Sequence, residues 1–381
     1  MKSFRYNTQT AMFFGKNCIV ENAELFSKYG KRAVIFTSKF YEGYPNLGLA
    51  DVETAFKSQG IEYLVLDGVE PDPPVETVAK LAKDAAAFNA DFFIAVGGGS
   101  SIDTMKGAAL LIKHSDISDP YEVFYSMGKP SQSITTEVDM PIFAVPTTAG
   151  TGAEVTGFAC LTRNDTHTKL AMYPVAFCDA AFLDSRYIKD SPDFLIHTGV
   201  MDALAHGVET YLHVDSNPIN RALADYGFEL FSSFKDRMYN GCLTDEDYDT
   251  MILTSFVQGM AFMQSSTTIP HGMGYPLSHI KHVNHGLSCA IFLGEYVKGF
   301  KDQSLVQPIV EKCGFKDSEE FADFCRKFTE DDVNITVTEE EIQQWTDDFM
   351  KLDFRLASNP EPLYREDIER LYRNSLRRYI K

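Results

Sequence analysis

Phe92-Phe93-Ile94-Ala95-Val96-Gly97-Gly98-Gly99-Ser100-Ser101-Ile102-Asp103 is the stretch on which the fold turns. Five apolar residues in a row suit a strand buried on both faces. Three glycines follow, and helical spacing then runs from about Ser101 toward Ile112. Glycines let the backbone approach a phosphate closely, and a helix start offers unpaired N–H groups at the positive end of its dipole. Ser100 and Ser101 add hydroxyl donors. An ordinary tight turn has no need of three consecutive glycines, which cost chain entropy. The run is neither Gly-x-Gly-x-x-Gly nor a Gly-Lys-Ser/Thr loop, so it indicates a diphosphate without saying which.

Outward from this point the pattern repeats. Ala33–Phe36, Tyr63–Leu66 and Ile142–Val145 are further short apolar runs, and Val75 to Phe88 has helical spacing between the second and third strands. Continuous apolar strands separated by helices predict a parallel sheet covered on both faces. The less regular start, Phe4 to Phe14, suits an antiparallel edge hairpin. A second loop, Pro146-Thr147-Thr148-Ala149-Gly150-Thr151-Gly152-Ala153-Glu154, follows the strand ending at Val145, and its small hydroxyl residues leave room for a flat ligand. After Leu183-Asp184 long amphipathic segments take over: Asp193–Val214, Ile219–Phe234, Asp247–Gln264 and Thr338–Leu352. The last opens on the capping-box pattern Thr338-Glu339-Glu340-Glu341. The reading is an α/β domain over 1–184 and an all-helical domain over 185–381.

The chain has 381 residues, 44% of them apolar and 23% charged, which is globular rather than disordered composition. Lys+Arg number 35 against 54 Asp+Glu, giving a net charge of −19. Such a body repels nucleic acid and anionic lipid, which excludes both as partners. No run of about 18 apolar residues is present to span a membrane. The start has no apolar signal-peptide core. Seven cysteines, an odd number without a Cys-x-x-Cys pair, argue against a disulfide framework and for the reducing cytoplasm.

Four of the nine histidines fall within 271–285. Asp202 and His206 are spaced i, i+4 and share one helix face. His271 follows Ile269-Pro270, and His285 precedes Gly286 and an apolar run, which places both near helix N-termini. There the dipole disfavours imidazolium and keeps the ring able to bind metal. Three imidazoles and a carboxylate suit Fe²⁺ or Zn²⁺. His114, His167, His197 and His213 read as ordinary core or surface residues, and that reading is also preferred for His279 and His282.

Taken together, these motifs resemble the iron-dependent, or group III, alcohol dehydrogenases along nearly the whole chain. Leu66-Asp67-Gly68-Val69-Glu70-Pro71-Asp72-Pro73, GGGSSIDTMK from Gly97, PTTAGTGAEVT from Pro146, MDALAHGVE from Met201 and the block from His271 to His285 occur in the family's order. The resemblance implies a Rossmann-like N-terminal domain, a helical metal-binding C-terminal domain, and homodimers. It implies metal ligands Asp202, His206, His271 and His285. It implies cofactor contacts from Asp72, Gly98, Gly99, Ser100, Asp103, Thr147, Thr148, Thr151 and Lys169. Three departures stand out. Tyr275 occupies the place of a histidine that shuttles the proton in many members, which leaves Tyr275, His279 or water for that task. Ser38, with Lys39 beside it, stands where NAD-preferring relatives carry Asp; it admits a 2′-phosphate, so NADP(H) is favoured over NAD(H). Phe158 and Phe262 read as core or as apolar pocket lining. The implied activity is hydride transfer between a nicotinamide and a small primary alcohol or aldehyde. Alternatives are a glycerol-dehydrogenase- or dehydroquinate-synthase-like enzyme on the same fold, or a non-catalytic relative that binds metal and nucleotide. The Asp202/His206 pair and the threonine loop favour the alcohol dehydrogenase.

Overall fold

A computed structural model describes residues 3–39, 46–125, 137–165, 168–172 and 175–381. His167 lies outside them. The backbone forms two compact units, Asn7–Ser191 and Pro192–Lys381, the latter joined by the N-terminal residues up to Tyr6.

The first unit holds strands β1 (Ala11–Phe14), β2 (Arg32–Ser38), β3 (Glu62–Val69), β4 (Phe92–Gly97), β5 (Ile142–Pro146), β6 (Cys160–Arg163), β7 (Thr168–Ala171) and β8 (Ala180–Leu183). Six form one sheet in the order β1-β8-β5-β4-β2-β3, every pair parallel. The alternation along the strands explains why they read as unbroken apolar runs. Val34, Phe36, Phe93 and Ala95 pack on one face against Val78 and Ala82 of helix Val75–Phe88 and Met105 and Leu110 of helix Gly99–Lys113. Ala33, Ile35, Phe92 and Ile94 pack on the other face against Val52 and Phe56 of helix Leu47–Gln59. With both faces covered, neither can be polar.

The N-terminal stretch differs from expectation. No hairpin forms there; β1 runs parallel to β8 at the sheet edge, in register Ala11↔Ala180 to Phe14↔Leu183. The pairing joins segments about 170 residues apart and therefore leaves no turn signature. The antiparallel hairpin lies elsewhere, between β6 and β7.

The second unit is helical. Helices Asp193–Leu212, Pro218–Tyr239, Asp245–Phe262 and Glu339–Phe349 occupy the four segments expected from periodicity. The Thr338 capping box closes in both directions, with Glu341 N–H donating to Thr338 Oγ1 at 3.2 Å and Thr338 N–H donating to Glu341 Oε2 at 2.9 Å. Helix Asp193–Leu212 is buried along nearly its whole circumference from Gly199 onward. Asp202, His206 and Glu209 are thus polar side chains on one face of a core helix, and buried polar groups need partners.

Candidate active site

Three helices of the second unit build the candidate metal centre. Asp202 and His206 project from helix Asp193–Leu212 one turn apart. His271 stands in the first turn of helix Ile269–His279, where Pro270 starts the helix, and His285 opens helix His285–Lys298. Asp202 Oδ1 lies 3.3 Å from His271 Nε2, 3.9 Å from His206 Nε2 and 4.0 Å from His285 Nε2. The three rings therefore gather around Asp202; the donor atoms of Asp202, His271 and His285 lie, with the Cys289 sulfur, within 4.8 Å of one another, a group that leaves out His206. Three of the four side chains are almost sealed from solvent, with side-chain exposures of 4% (Asp202), 4% (His271) and 7% (His206), while His285 at 26% marks the open side.

Gly286 permits this geometry. A Cβ there would fall 1.8 Å from the Thr198 carbonyl oxygen and 2.8 Å from Asp202 Cβ, so any other residue would push His285 off the Asp202 helix. Leu287 N–H donating to Thr198 Oγ1 at 3.1 Å fastens the same crossing.

Asp202 Oδ1 and His271 Nε2 are buried and make no hydrogen bond among the described residues. A buried carboxylate oxygen and a buried ring nitrogen 3.3 Å apart, at the centre of three imidazoles, form an arrangement that a cation completes. The electrostatics agree. Burial would raise the Asp202 carboxyl, yet His206, His271 and His285 hold it well below the ordinary carboxylate range. Burial disfavours a charged His271, but Cys289, Glu209 and Asp202 outweigh it and raise its imidazole well above the usual histidine value. The helix-dipole argument for a neutral ring is thus outweighed by nearby anionic groups. This pocket demands positive charge, and the oxygen and nitrogen donors fit a divalent ion.

Glu209, one turn beyond His206, has a role that sequence reasoning passed over. Its fully buried carboxylate accepts hydrogen bonds from His271 Nδ1, from the Thr268 N–H and, at 3.3 Å, from the His271 N–H. It fixes the ring so that Nε2 faces Asp202, the outer support that metal-binding histidines usually have. The spacing Asp202, His206, Glu209 on one helix face was the available signal.

Tyr275, one turn after His271, lies near His285 with its ring nearly parallel at 6.3 Å between centroids. Its hydroxyl accepts from Arg355 Nη2 at 3.0 Å, and the buried Arg355 also donates to the Thr268 carbonyl at 2.6 Å. Arg355 comes from 80 residues away and carried no sequence signal. His279 is exposed at the last position of the same helix, eight residues from His271, or about 12 Å of helix rise. The Phe262 ring stacks on His206, 4.2 Å between centroids, which makes Phe262 part of the wall of the centre.

In the first unit, the glycine and threonine loops gather at the carboxyl ends of the strands. The order places β3 on one side of β2 and β4 on the other, so the strand order reverses between β2 and β4, and such switch points are where ligands bind in open α/β sheets. Ser38 ends β2 there, with an exposed Lys39 next to it. The glycine loop and the threonine loop lie side by side: Thr147 N–H donates to the Gly97 carbonyl at 3.0 Å. A Cβ on Gly98 would come 3.1 Å from Thr148 Oγ1, and one on Gly99 2.9 Å from Thr151 Cγ2. The glycines are therefore needed first for the fit of the two loops. Ser100 Oγ accepts from the Asp72 N–H at 3.3 Å, and Asp72 pairs with Lys169 at 2.6 Å. Asp103 accepts from the Cys160 N–H at 2.9 Å, and burial pushes its carboxyl up to about 6. The fully buried Lys106 reaches under the threonine loop and donates to the carbonyls of Ala153, Thr156 and Phe158 at 2.6, 2.7 and 2.8 Å.

Comparison with known proteins agrees with this arrangement. The profile of the iron-containing alcohol dehydrogenases matches residues 9–185, and that of the C-terminal domain of the Fe-containing alcohol dehydrogenase family matches 195–376. The chain is 32% identical over 292 residues to alcohol dehydrogenase 4 of Schizosaccharomyces pombe, covering 75% of this chain and 66% of that protein. It is 32% identical over 305 residues to the NADPH-dependent butanol dehydrogenase of Clostridium saccharobutylicum, covering 77% and 73%. The crystal structure of an iron-containing alcohol dehydrogenase from Thermotoga maritima superposes with a TM-score of 0.85 at 27% identity, over 98% of this chain and 99% of that one. The chain belongs to the iron-containing alcohol dehydrogenase family and is an oxidoreductase of that metal-dependent, nicotinamide-linked class.

Proposed function

We propose that this enzyme reduces a small aldehyde to its primary alcohol, and oxidises the alcohol in reverse, with NADP(H) preferred over NAD(H). The observation that carries the proposal is the convergence of Asp202, His206, His271 and His285 in one buried, electronegative pocket open at His285. These four residues would hold one divalent ion, Fe²⁺ or Zn²⁺. When bound, such an ion supplies Lewis-acid polarisation of the substrate oxygen.

The chain's own residues do the rest. Glu209 keeps His271 turned toward Asp202. Gly98, Gly99 and Ser100 present backbone and hydroxyl donors to a diphosphate at the start of helix Gly99–Lys113. Thr147, Thr148 and Thr151 orient the nicotinamide from a loop that Lys106 holds from below, and Asp72 and Lys169 act as a pair at its side. Tyr275, anchored by Arg355 and with its ring nearly parallel to that of His285, takes the place of an imidazole in carrying a proton to solvent. The phosphate preference rests on Ser38 and the exposed Lys39, where no carboxylate repels a 2′-phosphate; the butanol dehydrogenase relative is NADPH-dependent.

A homodimer is part of the proposal: β1 is a sheet-edge strand with Met12 44% and Phe14 43% exposed. A cytoplasmic setting accords with seven free thiols among the described residues. No helix among those residues is long and apolar enough to cross a membrane.

The test is a panel of aldehydes assayed with NADPH and NADH on metal-free protein reloaded with Fe²⁺ or Zn²⁺. Metal-dependent turnover with NADPH ahead is expected. A kcat/KM that favours NADH by about tenfold, about 1.4 kcal/mol, overturns the reading of Ser38. Tight metal binding without turnover on any aldehyde overturns the reading as a reductase.

A further inference from the structure

We propose that Arg355 selects for aldehydes that carry an anionic group, a carboxylate, sulfonate or phosphonate at the far end of a short carbon chain. The proposal rests on the reading of this site as an aldehyde reductase and names the class of its substrate.

Arg355 is 6% exposed, yet its guanidinium touches no carboxylate among the described residues. Nη1 donates to the Thr268 carbonyl at 2.6 Å and the Thr267 carbonyl at 3.3 Å, and Nη2 donates to the Tyr275 hydroxyl at 3.0 Å. The Nε N–H is buried without a partner. By contrast, Arg237, Arg326, Arg365, Arg370 and Arg373 of the same unit each rest on an Asp or Glu. Glu209, the carboxylate that shares the field of Arg355, is already occupied by His271 and the Thr268 N–H. A buried cation with hydrogen bonds but no counter-ion lacks the partner that offsets its desolvation.

The position of Arg355 ties that charge to the metal centre. A Cβ on Gly272, the residue after His271, would fall 2.6 Å from Arg355 Cδ and 3.0 Å from its Nε, so the side chain lies against the first turn of helix Ile269–His279. Tyr275 joins Arg355 to the open side: its hydroxyl is on Nη2, and its ring lies alongside that of His285, 6.3 Å between centroids. An aldehyde whose oxygen enters at His285 has this fixed cation within reach of the far end of a short chain. The chain as a whole carries a net charge of −19, so an anionic substrate needs such a local charge to enter. The planar guanidinium fork matches the paired oxygens of these acid groups. Hydride passes from the nicotinamide to the carbonyl carbon and a proton to its oxygen, and the anionic group leaves unchanged.

The experiment compares kcat/KM of the zinc-loaded enzyme with NADPH for butanal and for three aldehydes with an anionic end: succinic semialdehyde, sulfoacetaldehyde and phosphonoacetaldehyde. At least one of the three is expected to exceed butanal by about 10-fold or more, and which one does so names the acid group. Arg355→Met should lower that ratio by about 10–100-fold, and Arg355→Lys should restore part of it. Tyr275→Phe should slow both kinds of aldehyde alike and leave the ratio in place, as would a merely structural role for Arg355. Succinate, ethanesulfonate or ethylphosphonate should inhibit butanal reduction by the wild type competitively, a reading that needs no variant. A wild-type kcat/KM for butanal at or above all three overturns the anion site and leaves the reductase standing, as does a ratio that Arg355→Met leaves unchanged within about twofold. No turnover on any of the four, in protein that binds zinc, overturns the reductase reading and this inference with it.

Discussion

Replacing Glu209 with Gln probes the metal centre without touching a ligand. The two side chains have nearly the same shape, so packing in helix Asp193–Leu212 is retained. Glu209 accepts from His271 Nδ1, the Thr268 N–H and the His271 N–H. Glutamine offers one oxygen, and its NH₂ group faces donors, so at least one buried N–H loses its acceptor at about 1–3 kcal/mol. The His271 ring then no longer has a carboxylate holding Nε2 toward Asp202. Loss of such an outer carboxylate lowers metal affinity by roughly 10–100-fold, or about 1.4–2.7 kcal/mol. The assay is a competition titration of Zn²⁺ against a chromophoric chelator, with urea unfolding of the metal-free protein alongside. Weaker zinc binding in a variant that still unfolds cooperatively is the expected outcome. Zinc affinity unchanged within about twofold, in a folded variant, would refute the claim that Glu209 orients His271 for the metal.

Lys106→Met leaves the carbonyls of Ala153, Thr156 and Phe158 without their donor; at about 1 kcal/mol each, urea unfolding should show a loss of about 3 kcal/mol, with a higher KM for NADPH and unchanged zinc affinity. Glu154, buried in the same region, has its carboxyl pushed up to about 7 by burial. Its unfolded value is about 4.3, so the folded state holds a proton that the unfolded state releases, and stability present below about pH 4 is lost as the pH rises toward 7. Glu154→Gln should therefore match the wild type near pH 4 and exceed it by on the order of 3–4 kcal/mol near pH 8, measured by urea unfolding at both. Thr338→Ala removes the cap of helix Glu339–Phe349 and should cost about 1 kcal/mol without changing zinc affinity.

The sheet was legible because a strand covered on both faces must be apolar at every position, as Phe92–Val96 is. The glycine loop and the Asp202–His206 pair were legible because their spacing is local. β1 was misread because its partner, β8, lies about 170 residues away and parallel pairing needs no adjacent turn. The β6/β7 hairpin went unseen because its strands are four residues each, too short for a period of two to register. Arg355 was invisible for a related reason: it reaches Tyr275 and Thr268 from a separate short helix, Asp353–Ser358, and nothing near it in sequence marks the contact.

The proposed ligands of the centre come from three separate helices, with Gly286 allowing two of their backbones to nearly touch. A bound ion is thus a crosslink within the hydrophobic interior as well as a reagent. At a thousand times its dissociation constant it adds about 4 kcal/mol to the folded state. Amide exchange along Asp193–Leu212, Ile269–His279 and His285–Lys298 should slow together when metal is supplied and quicken together when it is withdrawn. Cellular metal scarcity would then shorten the lifetime of the protein itself, and abundance would follow catalytic competence.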